Sequence, residues 1–407
     1  MIGAGIGQLY LSKKIKQRGD YLIAITLPGN QPVIEIADKI YYNDVFDKEG
    51  VLQIAKKENI DAVISDQNDT MMPTVAFIAE NLNIPGLKTE QIYSYCNKNK
   101  YRENCDLLGI PAPKHIAVKE VKVPDEFKSV PFPWIVKPAD AQSSVGVEKV
   151  NNEKEYFSAI EKAIGYSKTK SAILEEFFVG QELVAEGFIY KGEYYNLGFA
   201  DRKYFDLDRI FIPSQTTFPS ILNKDVLDAI TACEKRMAEY INPDFAIVHS
   251  EYLYNAEKNE FRVVESALRG GGVYISSHLI PLYSGIDINE TLLDCICGYS
   301  IDMKDVMASR ENKASAYVCF YLPEGTITQI KGFDEVKHMQ FVKMMCVDDL
   351  KIGGRTHALK NKGQRLGPII ICGENRKDIE EKIELLQNTI QINVKSKDNV
   401  IHSINWK

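Results

Sequence analysis

Residues 247–272, IVHSEYLYNAEKNEFRVVESALRGGG, constrain the fold of this chain more than any other stretch. They read as two β-strands joined by a polar turn, followed by an Arg and three glycines. Glu251 and Glu265 each lie seven residues from Lys258, the centre of that turn. A hairpin folded about this point sets the two carboxylates opposite each other, with Cβ atoms about 5 Å apart. Carboxylates that close repel unless a cation sits between them. Hard oxygen ligands paired this way suit Mg²⁺ or Mn²⁺. Arg269, four residues past Glu265, adds a rigid fork for a carboxylate or phosphate. Gly270, Gly271 and Gly272 let backbone approach a ligand closely. A surface hairpin with solvated charges would fit the same letters, so a site here needs partners elsewhere in the chain.

At 407 residues the chain is too long for one core, and two to four domains are expected. Hydrophobic content of 45% and charged content of 26% are those of a soluble globular protein. The net charge of −7, with no long basic run, argues against a nucleic-acid partner. No apolar run is long enough to span a bilayer and no signal peptide is apparent, so no membrane partner and a cytoplasmic location are expected. The eight cysteines form no CxxC pair, and the C-x-C at Cys295 and Cys297 has poor zinc spacing. Buried thiols in a reducing compartment are the expectation.

The chain opens on GAGIGQ after only Met1 and Ile2, as if part of a first strand were missing. Gly3, Gly5 and Gly7 follow a dinucleotide-binding spacing, but Gln8 stands where the last small residue should be, and a tight strand-to-helix turn is the reading adopted. A helix over 9–18, a strand in 21–27, a helix over 48–58, a strand over 61–65 and a helix over 73–82 then alternate. That pitch predicts a small parallel α/β unit. Asp66, Asp69 and Thr70 follow the last strand, and Asp69-Thr70 reads as a helix cap. Lys98 and Arg102 share one face of a helix that stops at Gly109-Ile110-Pro111. Lys137 sits mid-strand among apolar neighbours, where a lysine either snorkels or meets an anion. The small-residue loop 142–146 could cover phosphates, although no Walker motif occurs. Residues 172–182 read as a strand running into Glu175, Glu176, two Phe and Gly180. A hairpin over 183–190 and 193–200 follows. Arg202 and Lys203 are placed on a loop that ends near 220, suited to a second carboxylate or to solvent. Residues 223–240 form an amphipathic helix. His249 shares a strand face with Glu251, as a base or as a core histidine.

In this order and spacing the pieces resemble the ATP-grasp superfamily over most of residues 1–300. Lys98 and Arg102 before Gly109-Ile110-Pro111 look like its entry helix, and Trp134-Ile135-Val136-Lys137-Pro138 like its second lysine strand. Glu175-Glu176-Phe177-Phe178 with Gly180-Gln181-Glu182 looks like the adenine–ribose hinge. Glu251 and Glu265-x-Ala267-x-Arg269 look like the metal and acyl-phosphate site. Within the superfamily the chain is similar to carboxylate–amine ligases, close to L-amino acid ligases and the carbamoyl-phosphate-synthase large subunit. The strands near 316–322, 325–332 and 367–372, the helix over 378–389 and the strand near 390–394 resemble their C-terminal domain.

The resemblance implies an α/β and α+β multidomain fold. Its parts are a parallel α/β pre-ATP-grasp domain over 1–94, a two-lobed ATP-grasp domain over 95–307 with a lid about 135–190, and an α+β domain over 308–407. Lys98 and Lys137 would contact the phosphates of ATP beneath Ser143, Ser144 and Gly146. Glu175 and Phe178 would present backbone to adenine, and Glu182 would hold the ribose. Glu251 and Glu265 would bind Mg²⁺, or Mn²⁺, and Arg269 would steady the substrate carboxylate. Lys137 and Arg269 are thus the implied catalytic pair. Ala267 stands where family members usually carry a metal-ligating Asn, which would weaken the second metal. The implied activity is ATP-dependent phosphorylation of a small carboxylate to an acyl phosphate, then transfer to an amine such as an amino acid, with ADP and phosphate released. Two alternatives stay open: an enzyme whose product is a carbamoyl or acyl phosphate, and a non-catalytic ATP-binding module. Related enzymes are often dimers, so a homodimer is expected.

Overall fold

The computed structural model describes residues 1–141, 145–207, 211–347 and 349–407. The N-terminal unit is built on two parallel strands, β1 (Ile23–Thr26) and β2 (Lys39–Tyr42). Ile2 bridges to Ile25 and donates to the Ile64 carbonyl at 2.8 Å. The expected strand over 61–65 is therefore extended chain beside Ile2 rather than a strand with its own ladder; only this short contact pairs it. Helices α1 (Ile6–Gln17), α2 (Lys48–Glu58) and α3 (Met72–Leu82) surround this pair. The bounds of α2 are those read from sequence. Asp47 caps its start by accepting the Gly50 N–H at 3.0 Å, and Asn59 ends it in the left-handed region. Helix α4 (Thr89–Cys96) was not foreseen; it runs almost directly into α5 (Lys98–Leu108), which stops at Gly109 with φ +60.

A four-stranded antiparallel sheet follows, in the order β3 (His115–Val118), β6 (Ala172–Glu176), β4 (Trp134–Pro138), β5 (Glu148–Val150). Trp134, Val136 and Pro138 alternate into the core beneath helix α6 (Glu153–Tyr166), which buries Tyr156, Ala159, Ile160 and Ala163 at helical spacing. The same alternation turns Lys137 to the opposite face of the sheet.

The large sheet has eight strands, ordered β11 (Glu260–Ala267), β10 (Phe245–Asn255), β7 (Gln181–Tyr190), β8 (Glu193–Tyr204), β9 (Pro213–Phe218), β12 (Ala314–Phe320), β16 (Leu366–Gly373) and β14 (Val342–Met345). Helix α7 (Lys224–Ile241) covers part of it with Val226, Ile230, Cys233 and Met237. Strands beyond residue 308 thus continue the sheet that carries the acidic hairpin. The C-terminal helix Arg376–Thr389 packs on β12 and β16, and a last sheet runs β15 (Arg355–Thr356), β13 (Gly325–Lys331), β17 (Gln391–Lys395), β18 (Ile401–Ser403).

The mixed α/β multidomain class expected from sequence is the one observed. A second local expectation, besides the strand over 61–65, also fails. Arg202 lies in β8, 7% exposed, and not in a loop reaching to 220. Its charge can be buried because carboxylates from β7 and from β10 meet it, as described below. Among the described residues, no helix is long and apolar enough to cross a membrane.

Candidate active site

The hairpin register is the one the turn implies, with Glu251 directly opposite Glu265 and a bulge immediately after Glu251. Equal spacing from the turn sets this pairing, and period-two alternation puts both side chains on one face. Their surroundings differ. Glu251 is held by the Arg202 guanidinium and lies 3.4 Å from His249 Nε2. Arg202 also pairs with Glu182, whose other oxygen accepts the Tyr204 hydroxyl. Glu265 is exposed, with no hydrogen bond or ion pair among the described residues. Its charge acts on Lys98 and Arg269, with which it lines one cavity beside Asp69, Arg102 and His249.

Behind that cavity lies a buried three-residue ion cluster. The Glu175 carboxylate, 2% exposed, meets Arg102 Nε from α5 at 2.7 Å and Lys137 Nζ from β4 at 2.7 Å. Arg102 Nη2 donates onward to the Val264 carbonyl at 2.8 Å, tying the small sheet to β11. Burial pushes the Glu175 carboxyl up, but the two cations outweigh it and bring its pKa down to about 2. Lys98 donates through Nζ to the Ala141 carbonyl, and burial lowers its pKa.

His249 is buried and faces Glu186, a fully buried carboxylate on β7. Burial disfavours the imidazolium, but the Glu186 charge more than offsets this and raises the His249 pKa. Gly271 passes directly against this pair: a Cβ there would lie 2.3 Å from Glu186 Oε1 and 2.9 Å from His249 Nδ1. Only glycine allows that approach. Gly146 is needed for a different reason, a φ of +70 with Pro138 and Tyr166 packed around it. Phe178 lies further along the hinge, with the Arg262 guanidinium 4.9 Å from its ring centre. Ser143 and Ser144 fall outside the described residues.

Arg269 is bound side-on by Asp69, with Nε to Oδ1 at 2.6 Å and Nη2 to Oδ2 at 2.9 Å. The expectation that Asp69 caps a helix is corrected here. Asn68 is the cap, accepting the Thr70 N–H at 3.0 Å, which frees Asp69 for an arginine 200 positions away. Sequence reasoning also missed Glu186, because a lone Glu inside a strand carries no signal. The four-residue spacing of Lys98 and Arg102 pointed to the right face of α5 but not to the carboxylate that Arg102 meets.

Asp66, 1% exposed, accepts the Gly270 N–H at 3.1 Å. Burial raises its carboxyl from 3.8 to about 6, only partly opposed by the Gln67 and Gly270 N–H groups and by Arg269. The folded chain thus holds this proton more tightly than the unfolded chain, so stability falls as pH rises from about 4 to about 6. The span corresponds to about 3 kcal/mol. Asp66→Asn keeps an oxygen for the Gly270 N–H and is expected to flatten the fall. Melting temperatures of both proteins from pH 4 to 7 check this.

A family model described as the D-ala D-ala ligase C-terminus matches residues 105–240, and one described as L-amino acid ligase C-terminal domain 2 matches residues 318–395. The crystal structure of L-amino acid ligase from Bacillus licheniformis superposes with a TM-score of 0.80, at 19% identity, covering 96% of this chain and 97% of that one. Two ligase models thus match separate stretches of the chain, and its fold is that of the L-amino acid ligase structure. Phosphoribosylglycinamide synthetase from Anaerococcus prevotii has the same fold, with a TM-score of 0.77 at 22% identity over 97% of this chain and 98% of that one. The carbamoyl phosphate synthase large chain of Clostridium botulinum (strain Langeland) is 28% identical over 194 residues, which is 45% of this chain and 18% of that protein. The chain thus spans under a fifth of that relative's length.

Proposed function

We propose that this chain is a member of the ATP-grasp superfamily, an ATP- and Mg²⁺-dependent ligase that joins a small carboxylate to an amine. The observation that carries the reading is the single cavity in which Glu265, Lys98 and Arg269 converge, with Glu251 across the hairpin from Glu265. The carboxylates fit the metal: Glu265 has its oxygens free of partners among the described residues, Glu251 faces it, and Mg²⁺ usually takes only one or two carboxylates beside substrate phosphates. When bound, the ion would neutralise phosphate charge between the two glutamates.

The residues then divide the work. A carboxylate oxygen is a poor leaving group, so the γ-phosphoryl of ATP is transferred to it and ADP leaves. The amine attacks the resulting acyl carbon, the C–O bond to phosphate breaks, and phosphate departs with the amide formed. Lys98 and Lys137 hold phosphates, and Arg269 brings the substrate carboxylate into line. Glu175 orients Lys137 from behind, and the backbone at Glu175 and Phe178 would meet the adenine. Glu182 would hold the ribose once Arg202 shifts from it. Ser143, Ser144 and Gly146 would contact the phosphates. The small sheet with α6, about 135–190, acts as the lid that keeps water from the acyl phosphate. In this reading the domains run 1–94, 95–307 and 308–407, and the protein acts in the cytoplasm as a homodimer.

A panel of amino acids and small carboxylates, scored by ADP release and by mass spectrometry of the products, tests the proposal. Amine-dependent ADP release with a new amide mass supports it. The similarity to carbamoyl phosphate synthase favours a second reading, in which the acyl phosphate is the product; release of ADP that needs no amine would select it. Ala267, buried beside Glu265 on β11, gives a further check. Ala267→Asn adds an oxygen ligand and is expected to lower the Mg²⁺ concentration for half-maximal rate by up to about tenfold. Initial rates across a Mg²⁺ series measure the shift.

A further inference from the structure

One short loop of the N-terminal unit reaches across to the fork of Arg269. Asp69 takes the Nε and Nη2 donors, at 2.6 and 2.9 Å, while Nη1 donates to the Gly270 carbonyl at 3.0 Å. Three residues earlier, Asp66 holds the Gly270 N–H. Side chain and following backbone of Arg269 are therefore both fastened by residues 66–69. The loop that fastens them is itself restrained. Gln67 adopts φ +56, Asn68 Oδ1 accepts from both the N–H and the hydroxyl of Thr70, and Gln8 donates to the Asp66 carbonyl.

A guanidinium carries five N–H donors. Three are used here, and two have no partner among the described residues. The side chain lines the cavity with Glu265 and Lys98. A free arginine would lose rotamer freedom on gripping a ligand. Here that ordering is done in advance.

We propose that Asp69 is a positioning residue that locks Arg269 side-on, so that its two remaining donors meet the reacting carboxylate. The proposal rests on the ligase reading of Arg269 given above. The N-terminal unit thereby completes the active site instead of only adjoining it. A competing role for the same contact is a resident carboxylate that occupies the substrate's seat, and it makes the opposite kinetic prediction.

The test uses the full chain with Asp69→Asn, Asp69→Ala and Asp69→Glu, checked for unchanged melting temperature. Asp69→Ala is expected to lower kcat about 10–100-fold, as a misplaced group does, with ATP affinity within about twofold. Asp69→Glu restores part of the rate and Asp69→Asn little of it. An unchanged kcat, or a fall in KM for the carboxylate with kcat kept, overturns the proposal. A second readout needs no substrate: the Nε–H resonance of Arg269, assigned by its loss in Arg269→Lys, is expected to shift in Asp69→Asn. If that signal does not move, the clamp fails even where the wild type turns over. If it moves but no substrate pair drives ADP release in the wild type, the ligase reading fails and the clamp between the two units stands.

Discussion

Replacing Glu265 by Gln is expected to lower kcat by about 10²-fold or more while ATP still binds within a few-fold of its original affinity. The substitution removes one negative charge at constant volume. Glu265 is exposed and has no hydrogen bond or ion pair among the described residues, so the substitution breaks no direct contact of the fold. Its melting temperature should therefore stay close to that of the parent, since substitutions at such positions fall within about 0.5 kcal/mol. ADP release, nucleotide titration and a melt, taken together, separate the three effects. An unchanged kcat would remove the hairpin from the chemistry. Glu251→Gln is a less clean experiment, because Arg202 and His249 both contact that carboxylate.

The second large effect falls on stability. Glu175→Ala takes the shared carboxylate away from Arg102 and Lys137 and leaves two buried cations without it. Arg102 is 3% exposed, and breaking a buried pair by removing one partner costs about 3–5 kcal/mol. The loss should show as a lower urea midpoint for the part of the chain that carries the cluster. Exchanging Glu175, Arg102 and Lys137 together for Met should recover much of it, because apolar side chains of similar volume often replace a buried ion cluster without penalty. If Lys137 holds phosphate as proposed, nucleotide affinity would not recover. The parent protein also acquires an acid limit here. Its folded carboxyl pKa of about 2 lies below the ordinary 4.5, so this contribution is complete above about pH 4.5 and is lost as pH falls towards 2. In the Asp66→Asn background, which removes the opposing Asp66 contribution, a urea midpoint that stays level from pH 5 down to 3 would contradict that cause.

Much of the fold was legible along the chain. Helix α2 has the bounds its cap residues Asp47 and Asn59 mark. The hairpin register followed from the equal distance of Glu251 and Glu265 to the turn. Lys137 faces away from the core because strand periodicity places it there. Apart from the strand expected over 61–65 and the unforeseen helix α4, the readings that missed concern partners. Asp69 looked like a cap, Arg202 like a loop residue and Glu186 like nothing in particular. Each has a hydrogen-bonded or ion-paired neighbour on another element, 200 positions away for Asp69, 49 from Arg202 to Glu251 and 63 from Glu186 to His249.

Alternation, turn symmetry and capping are local, and the letters alone determined what rests on them: the bounds of α2, and which way the hairpin glutamates and Lys137 point. Tertiary structure alone decided which charges meet. A Coulomb interaction depends on distance through space, and three elements remote in sequence must pack before Glu175, Arg102 and Lys137 can share one buried contact.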